Sequence, residues 1–185
     1  MARQFEALIN EYGLDDVGMS GLTIQVQTLD WNQSLMADPD LILHLMPAQH
    51  WSSRKFLDWD KALWGAFVLE TPDGNIYFAG DTGYGNGEVF KYAKLQFNEF
   101  RFVMLPIGTY EPRWFMRYVH MNPFDAVEAF KDLGEPFTMG IHFGSFRLSD
   151  EGYEDPLEEL REALKTVEHP DRFRTLQIGE PWSIP

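Results

Sequence analysis

The chain has 185 residues, of which 44% are hydrophobic and 15% aromatic, so it is long enough for one domain and too apolar for a disordered segment. Its net charge of −14 disfavours binding to nucleic acid or to an anionic membrane surface, because both would repel it. It contains no cysteine, which excludes disulfides and thiolate metal ligands, so any metal must be held by His, Asp or Glu.

The sequence also carries no recognisable targeting signal. Its first residues lack the apolar segment of a signal peptide, and no apolar run approaches the roughly 18 residues that a membrane span needs. We therefore expect a cytoplasmic protein with no transmembrane segment.

The first half of the chain predicts a helix followed by strands that form hairpins. Apolar residues recur at helical spacing between Phe5 and Tyr12, and Gly13 follows as a stop. The turn sequence Pro-Asp-Gly at 72–74 separates two apolar segments, which indicates an antiparallel hairpin. The predicted elements are a helix over 2–12, strands over 22–29 and 41–46, a polar connection over 31–40, and hairpin strands over 63–70 and 75–79.

The second half alternates helices and strands. Asn122 is a favourable N-cap with Pro123 at the first helical position, and Gly134 closes the helix that they open. The predicted elements are helices over 89–97, 123–133 and about 155–168, and strands over 102–105, 138–141 and 173–178. Together the two halves indicate a single α/β domain whose mixed sheet carries helices on at least one face.

Three of the predicted strands lead into a residue that can bind a metal. The strand over 41–46 leads to His50, the hairpin leads to Asp81, and the strand over 138–141 leads to His142. Loops at the ends of strands converge in such folds and are where sites tend to form. Each residue taken singly is equally consistent with a loop side chain that its neighbours satisfy, but the shared placement indicates a metal site.

The remaining polar candidates are weaker. His44 lies within a predicted strand and His169 at a helix end, so we expect structural or solvated roles for both. His120 lies in an irregular stretch and stays a candidate. The acidic run at 150–155 is most simply a solvated loop and helix start, because it has like charges and no histidine.

Five sequence blocks, taken together, resemble a known family of hydrolases. The blocks are PAQHWS (47–52), LWG (63–65), FAGDTGY (78–84), PIGTYEPRWFM (106–116) and IHFGSF (141–146). They closely resemble the phospholipases D that hydrolyse N-acyl-phosphatidylethanolamine, which have the metallo-β-lactamase fold. The likeness runs in order from about Asp30 to the C-terminus and implies a metallo-β-lactamase-like αββα sandwich.

The resemblance implies a hydrolase with two zinc ions per complete domain. By matching position, His50 resembles a ligand of one zinc, His142 a ligand of the other, and Asp81 the carboxylate that bridges them. Two neighbouring cations activate a shared water and stabilise the anionic oxygens of a phosphoryl displacement. His120 matches a family histidine near the scissile group, which implies substrate orientation or proton transfer. The ligand types alone do not choose zinc over manganese or iron.

The run at 110–115 supplies the candidate substrate-binding residues, which are Tyr110, Arg113 and Trp114. An arginine among aromatic residues is suited to bidentate binding of a phosphate. Glu111 is also near enough in sequence to neutralise Arg113, and Trp114 could instead complete the core.

One motif of this fold is missing. The segment His-x-His-x-Asp-His is not in the sequence, in which His44 is the first histidine. We therefore expect residues 1–185 to form the C-terminal half of a metallo-β-lactamase-like domain, with the helix over 2–12 following the missing segment. The zinc ligand set is then incomplete, because a catalytic zinc needs about three protein ligands and each ion would have two. We expect the isolated chain to be catalytically silent and its sheet to expose an apolar face.

Three functions stay open at this point. The first is a fragment or shortened version of a zinc-dependent phosphodiesterase that acts on a phospholipid, with peripheral membrane contact. The second is a hydrolase of another phosphodiester, a lactone or an acyl ester, because this fold hosts many hydrolases. The third is a non-catalytic half-domain that binds a partner, such as the missing N-terminal half, or self-associates through its bare sheet face.

Overall fold

The computed structural model describes residues 26–53 and 55–184 of the chain, and a seven-stranded sheet runs through residues 34–174. The strands lie side by side in chain order: β1 (Ser34–Asp38), β2 (Leu41–Met46), β3 (Ala66–Glu70), β4 (Ile76–Phe78), β5 (Phe102–Pro106), β6 (Phe137–Ile141) and β7 (Phe173–Arg174). Strands β1 to β4 pair antiparallel and β4 to β7 pair parallel. The predicted mixed sheet and its hairpin are therefore confirmed.

Four α-helices accompany the sheet in the described residues: α1 (Glu88–Phe97), α2 (Arg113–Met116), α3 (Pro123–Asp132) and α4 (Asp155–Ala163). The start of α3 is the one that the sequence predicts. The side chain of Asn122 accepts a hydrogen bond from the backbone N–H of Asp125, whose carboxylate accepts one from the N–H of Asn122. This reciprocal pair satisfies N–H groups that a helix start leaves without partners. None of these helices is long and apolar enough to cross a membrane.

The core lies between one face of the sheet and the helices. Val68, Tyr77 and Val103 are neighbours in register on that face and are at most 1% exposed. They belong to the same buried cluster as Phe90 of α1 and Phe130 of α3. Helices therefore cover this face, as the alternation of strands and helices predicted.

The opposite face is more open. Phe67 and Phe78 are paired in register there, and their side chains are 36% and 37% exposed. Further along, the Trp182 ring packs edge-on against Phe102, with 5.4 Å between the ring centroids. This face is therefore partly covered near β5 and exposed near β3 and β4.

Several predicted elements differ from the structure. The hairpin strand over 63–70 begins only at Ala66, and the stretch predicted to be irregular contains the short helix α2. The polar connection over 31–40 is wrong, because it contains β1, an edge strand that needs backbone pairing with only one neighbour and little side-chain burial. The strand over 173–178 is reduced to β7, and the last helix ends at Ala163, followed by the 3₁₀ helix Leu164–Thr166. Of the strand over 22–29, residues 26–29 are not in a strand; its start and the helix over 2–12 lie outside the described residues.

The strand directions explain where the candidate ligands meet. Both β2 and β4 are antiparallel to β3, so they run in the same direction, and β5 and β6 run parallel to β4. The C-terminal ends of β2, β4 and β6 therefore lie at the same edge of the sheet. The loops that follow these strands carry His50, Asp81 and His142.

Candidate metal centre

The carboxylate of Asp81 is the point where three histidines converge. Its Oδ2 atom lies 3.3 Å from Nε2 of His50 and 3.6 Å from Nε2 of His142, and its Oδ1 atom lies 2.8 Å from Nδ1 of His120. The structure thus brings together all four residues that the sequence singles out at strand ends and in the irregular stretch. We refer to His50, Asp81, His120 and His142 as the candidate metal centre.

The hydrogen bond between His50 and Trp51 determines which ring nitrogen of His50 is protonated and which presents a lone pair to Asp81. Nδ1 lies 2.7 Å from the carbonyl oxygen of Trp51. Because a carbonyl only accepts, Nδ1 carries the proton, and in the neutral ring Nε2 is then an acceptor. This acceptor faces a carboxylate oxygen, which is unfavourable unless a cation or a second proton lies between them.

Three buried atoms of the candidate metal centre have no hydrogen-bond partner of suitable geometry among the described residues. They are Nε2 of His50, Oδ1 of Asp81 and Nδ1 of His120. Buried polar atoms in folded proteins are almost always paired, so a cluster of unpaired polar atoms needs an explanation. His50, Asp81 and His120 also each offer a ligand atom within 4.8 Å of the others. The donor set of imidazole and carboxylate, and its unpaired atoms, fit a bound metal ion such as zinc.

The distances separate His120 from the other two histidines. In a tetrahedral zinc site with bonds of about 2.0 Å, two ligand atoms lie about 3.3 Å apart. The distances from Oδ2 of Asp81 to His50 and His142 are close to this value. The shorter distance of 2.8 Å between His120 and Oδ1 corresponds to the spacing of a direct contact between the two side chains. His50 and His142 therefore lie near the spacing of two ligands that share one ion with Asp81, whereas His120 lies at the spacing of a direct contact with the carboxylate.

The charges of the centre shift two pKa values. Burial would raise the pKa of Asp81, but hydrogen bonding to His120 and His50, together with the electrostatic influence of His120 and His142, holds the pKa of this carboxyl well below its usual range. Burial would lower the pKa of His50, but its contacts with Asp81 and the Trp51 carbonyl outweigh this and raise it above 6.5. Without a metal, the contact with Asp81 therefore favours a second proton on His50.

The backbone beside His142 has an unusual conformation. His142 has a φ of 62°, in the left-handed region that residues with a side chain seldom adopt. A Cβ atom at Gly108 would lie 2.3 Å from the carbonyl oxygen of His142, so only glycine allows this approach. The loop after β5 thus packs directly against the backbone that presents His142.

Arg113 lies beside the centre, with partners of its own. Its guanidinium donates hydrogen bonds to the carboxylate of Asp125 and, over 3.1 Å, to the carbonyl oxygen of His120. Glu111, the neutralising partner considered from the sequence, instead accepts a hydrogen bond from the Arg113 backbone N–H. Arg113 and Asp125 line an open cavity of about 880 Å³ together with His50. This volume is sufficient for a small polar ligand next to the centre.

The other two candidate substrate-binding residues lie in contrasting environments. Tyr110 is 1% exposed and does not line this cavity. Burial and the neighbouring Glu159 raise the pKa of Tyr110 above its usual value, so its phenol stays protonated. Trp114 is 77% exposed, so the alternative in which it completes the core is wrong.

The structure also assigns roles that the sequence pattern did not indicate. The carboxylate of Glu151, expected in a solvated loop, accepts hydrogen bonds from the backbone N–H groups of Thr109 and Glu111 and from the Ser149 hydroxyl. It therefore holds the loop that packs against His142. The two backbone contacts span 42 and 40 residues, so local sequence offered no signal for them. His44 has the structural role expected of it, with Nε2 3.0 Å from the carboxylate of Glu70 on the next strand.

Comparison with families and curated proteins identifies relatives of the chain. The family described as "Beta-lactamase superfamily domain" matches residues 5–143. N-acyl-phosphatidylethanolamine-hydrolyzing phospholipase D 1 of Caenorhabditis elegans is 33% identical over 163 residues, which cover 85% of this chain and 46% of that protein. The mitochondrial N-acyl-phosphatidylethanolamine-hydrolyzing phospholipase D of Saccharomyces cerevisiae is 35% identical over 161 residues, covering 84% and 34%. The chain thus spans less than half the length of these two relatives.

Among solved structures, the isothiocyanate hydrolase from Delia radicum gut bacteria has a similar fold. The TM-score is 0.63 with 19% sequence identity, and the match covers 98% of this chain and 66% of the other. At this identity the likeness concerns the fold. It confirms the fold class predicted from the sequence, as does the family match.

Proposed function

The chain belongs to the β-lactamase superfamily, and from this we propose that it forms the C-terminal half of a zinc-dependent hydrolase, a phosphodiesterase of the N-acyl-phosphatidylethanolamine phospholipase D type. Its substrate is a phospholipid or a related phosphodiester. The observation that carries the proposal is the convergence of three histidines on Asp81, with buried acceptor atoms that lack partners.

The residues of the centre have distinct proposed roles. His50, His142 and Asp81 would hold the metal, with imidazole nitrogens and a carboxylate as its protein ligands. When bound, the metal supplies a water of lowered pKa and positive charge for the anionic oxygens of a phosphodiester. The Trp51 carbonyl fixes the tautomer of His50 by accepting its Nδ1 proton, as carbonyl and carboxylate acceptors do for metal-binding histidines.

His120 is the proposed proton carrier. Its Nδ1 atom faces Asp81, so its other ring nitrogen, Nε2, is the one that can exchange a proton with a substrate oxygen. The ring is 12% exposed, which allows access while excluding most of the solvent. Arg113, which lines the cavity beside His50, is the proposed phosphate-binding residue, although part of its hydrogen-bonding capacity is used by Asp125 and the His120 carbonyl.

The described residues hold four candidate ligand side chains. Two zinc sites with about three protein ligands each would need more. We therefore propose that this chain binds fewer than two zinc ions and does not turn over substrate alone. Equilibrium dialysis against zinc, followed by mass spectrometry, measures the stoichiometry. Two tightly bound zinc ions per chain would contradict the incomplete ligand set, and no bound zinc would contradict the centre itself.

Substrate choice requires a complete domain. We suggest fusing this chain behind the N-terminal part of the yeast relative and assaying the fusion against N-acylated phospholipids and simple phosphodiesters. The proposal predicts hydrolysis of the N-acylated phospholipid and its loss in the Asp81→Asn fusion. A fusion that binds two zinc ions but hydrolyses neither substrate would refute the phospholipase assignment. In that case the same fusion is assayed with a lactone and an acyl ester, and hydrolysis of either would assign it to another activity of this fold.

A second candidate function is association through the open sheet face. Phe67 and Phe78 are adjacent and more than a third exposed on the side away from the helix-covered core. Sedimentation velocity of the chain tests this role. A dimer that Phe78→Asp converts to a monomer would support it, and a wild-type monomer would exclude self-association.

A further inference from the structure

Gln49, the residue before His50, makes hydrogen bonds to two other loops of the candidate metal centre. Its backbone N–H donates to the Thr82 hydroxyl over 2.9 Å, and its carbonyl accepts from the N–H of Gly83 over 2.8 Å. Its side-chain amide donates to the carbonyl oxygen of Tyr118 over 2.7 Å. One residue therefore connects the loops that carry His50, Asp81 and His120.

The loop after Asp81 is shaped to receive this side chain. A Cβ atom at Gly83 would lie 2.5 Å from the Tyr118 carbonyl oxygen and 3.0 Å from the Gln49 amide nitrogen. A Cβ atom at Gly85 would lie 2.0 Å from the Gln49 amide oxygen. The two glycines thus leave the space that the Gln49 amide and the Tyr118 backbone occupy.

Thr82 completes the connection from the buried side. It is 1% exposed, and its hydroxyl accepts from Gln49 while donating to the Gly83 carbonyl over 3.0 Å. Gln49 precedes His50 and Thr82 follows Asp81. The hydrogen bond between Gln49 and Thr82 therefore fixes the position of the Asp81 carboxylate relative to His50.

We propose that Gln49 is a positioning residue of the metal centre, which sets the separation of His50, Asp81 and His120 through its contacts with Thr82, Gly83 and Tyr118. The inference rests on the proposed metal centre and adds to it a residue that contacts neither metal nor substrate. Metal sites depend on such outer contacts, whose loss typically weakens metal affinity by about 10–100-fold. Because Gln49 directly precedes His50, loss of its side-chain hydrogen bond to Tyr118 should shift the proposed ligand His50 as well as His120.

The test compares Gln49→Met, which keeps the side-chain volume without hydrogen bonds, and Gln49→Glu, which keeps the shape but loses the donor. Gln96→Ala, an exposed position on α1, is the control. Co²⁺ is the probe, because its visible absorption reports ligand geometry whereas zinc has no d–d spectrum. Each full-length chain is titrated with Co²⁺, and its metal-free melting temperature is recorded.

We expect both Gln49 variants to bind Co²⁺ about tenfold more weakly than wild type and with an altered absorption spectrum. The Gln96 control should match wild type. A lower melting temperature with an unchanged Co²⁺ affinity and spectrum would assign Gln49 a purely structural role and overturn the inference alone. Absence of Co²⁺ binding by the wild-type chain would overturn the metal centre and this inference with it.

Discussion

Two polar clusters lie side by side in this structure and are built differently. In the capping cluster, Arg113, Asn122 and Asp125 satisfy one another through a side-chain ion pair and a reciprocal helix cap. In the candidate metal centre, buried atoms of His50, Asp81 and His120 lack suitable hydrogen-bond partners. The clusters are joined through the carbonyl of His120, which accepts from Arg113. The same chain thus pairs its polar atoms where they stabilise the fold and leaves them unpaired where a ligand fits.

The comparison predicts that the two clusters respond to different measurements. Substitutions in the metal centre should change metal affinity and catalysis with little loss of stability, because unpaired buried atoms contribute little to folding. Substitutions in the capping cluster should lower stability with little change in metal affinity. A metal-centre substitution that mainly lowers stability, or a capping-cluster substitution that mainly lowers metal affinity, would contradict this distinction.

The largest effect is expected for Asp81→Asn. A neutral amide is a poor metal ligand, so zinc affinity should fall at least about 100-fold, and a complete enzyme should lose its activity. Isothermal titration with zinc measures the affinity. The matched control is Asp132→Asn, whose carboxylate pairs with Tyr84 and Lys91 away from the centre. A complete enzyme with Asp81→Asn that retained activity within about tenfold of the parent would refute the bridging role.

His120→Ala should lower catalysis while leaving metal binding nearly unchanged. We expect zinc affinity to stay within about threefold, because His120 contacts Asp81 at a distance too short for two ligands of one zinc. Turnover by a complete enzyme should fall about 100-fold through loss of proton transfer. Steady-state kinetics alongside zinc analysis tests both parts. Loss of zinc from the variant would show that His120 is a ligand.

Asn122→Ala should affect the capping cluster only. Removing the N-cap of α3 should lower the free energy of unfolding by about 1 kcal/mol, measured by urea denaturation. Zinc affinity of the folded chain should not change. Asn86→Ala, in an exposed loop before α1, is a control with a smaller expected loss. A tenfold change in zinc affinity for Asn122→Ala would show that the two clusters are coupled.

The smallest effect is a pH dependence of the metal-free chain. The pKa of His50 is raised above 6.5 in the folded state, so its contribution to stability is fully present below that pH and is lost as the pH rises through the folded pKa. Wild type should therefore lose more stability than Asp81→Asn between pH 6 and pH 8.5, by less than about 1 kcal/mol. Urea denaturation in the presence of a chelator measures this difference. Equal losses would show that Asp81 does not interact with protonated His50.

Much of the candidate site could be predicted because the local sequence marks where each strand ends. His50, Asp81 and His142 each follow a recognisable apolar strand, and parallel strand ends meet at one edge. The N-cap of α3 was predictable for a similar reason, since the signal lies within four residues. Family resemblance added the class of chemistry but not the geometry of the contacts.

Long-range side-chain partners could not be predicted from the sequence. The Arg113 guanidinium pairs with Asp125 rather than the nearby Glu111, and Glu151 holds backbone groups forty residues away. Strand β1 was missed because an exposed edge strand has no buried face and hence no apolar alternation. These features depend on tertiary packing, which a local pattern does not encode.

The most direct test of the account is anomalous scattering at the zinc absorption edge from crystals of the zinc-loaded chain. The account predicts a peak about 2.0–2.2 Å from Oδ2 of Asp81 and from Nε2 of His50 or His142. A zinc ion bound away from Asp81, or no peak at this edge of the sheet under saturating zinc, would contradict it.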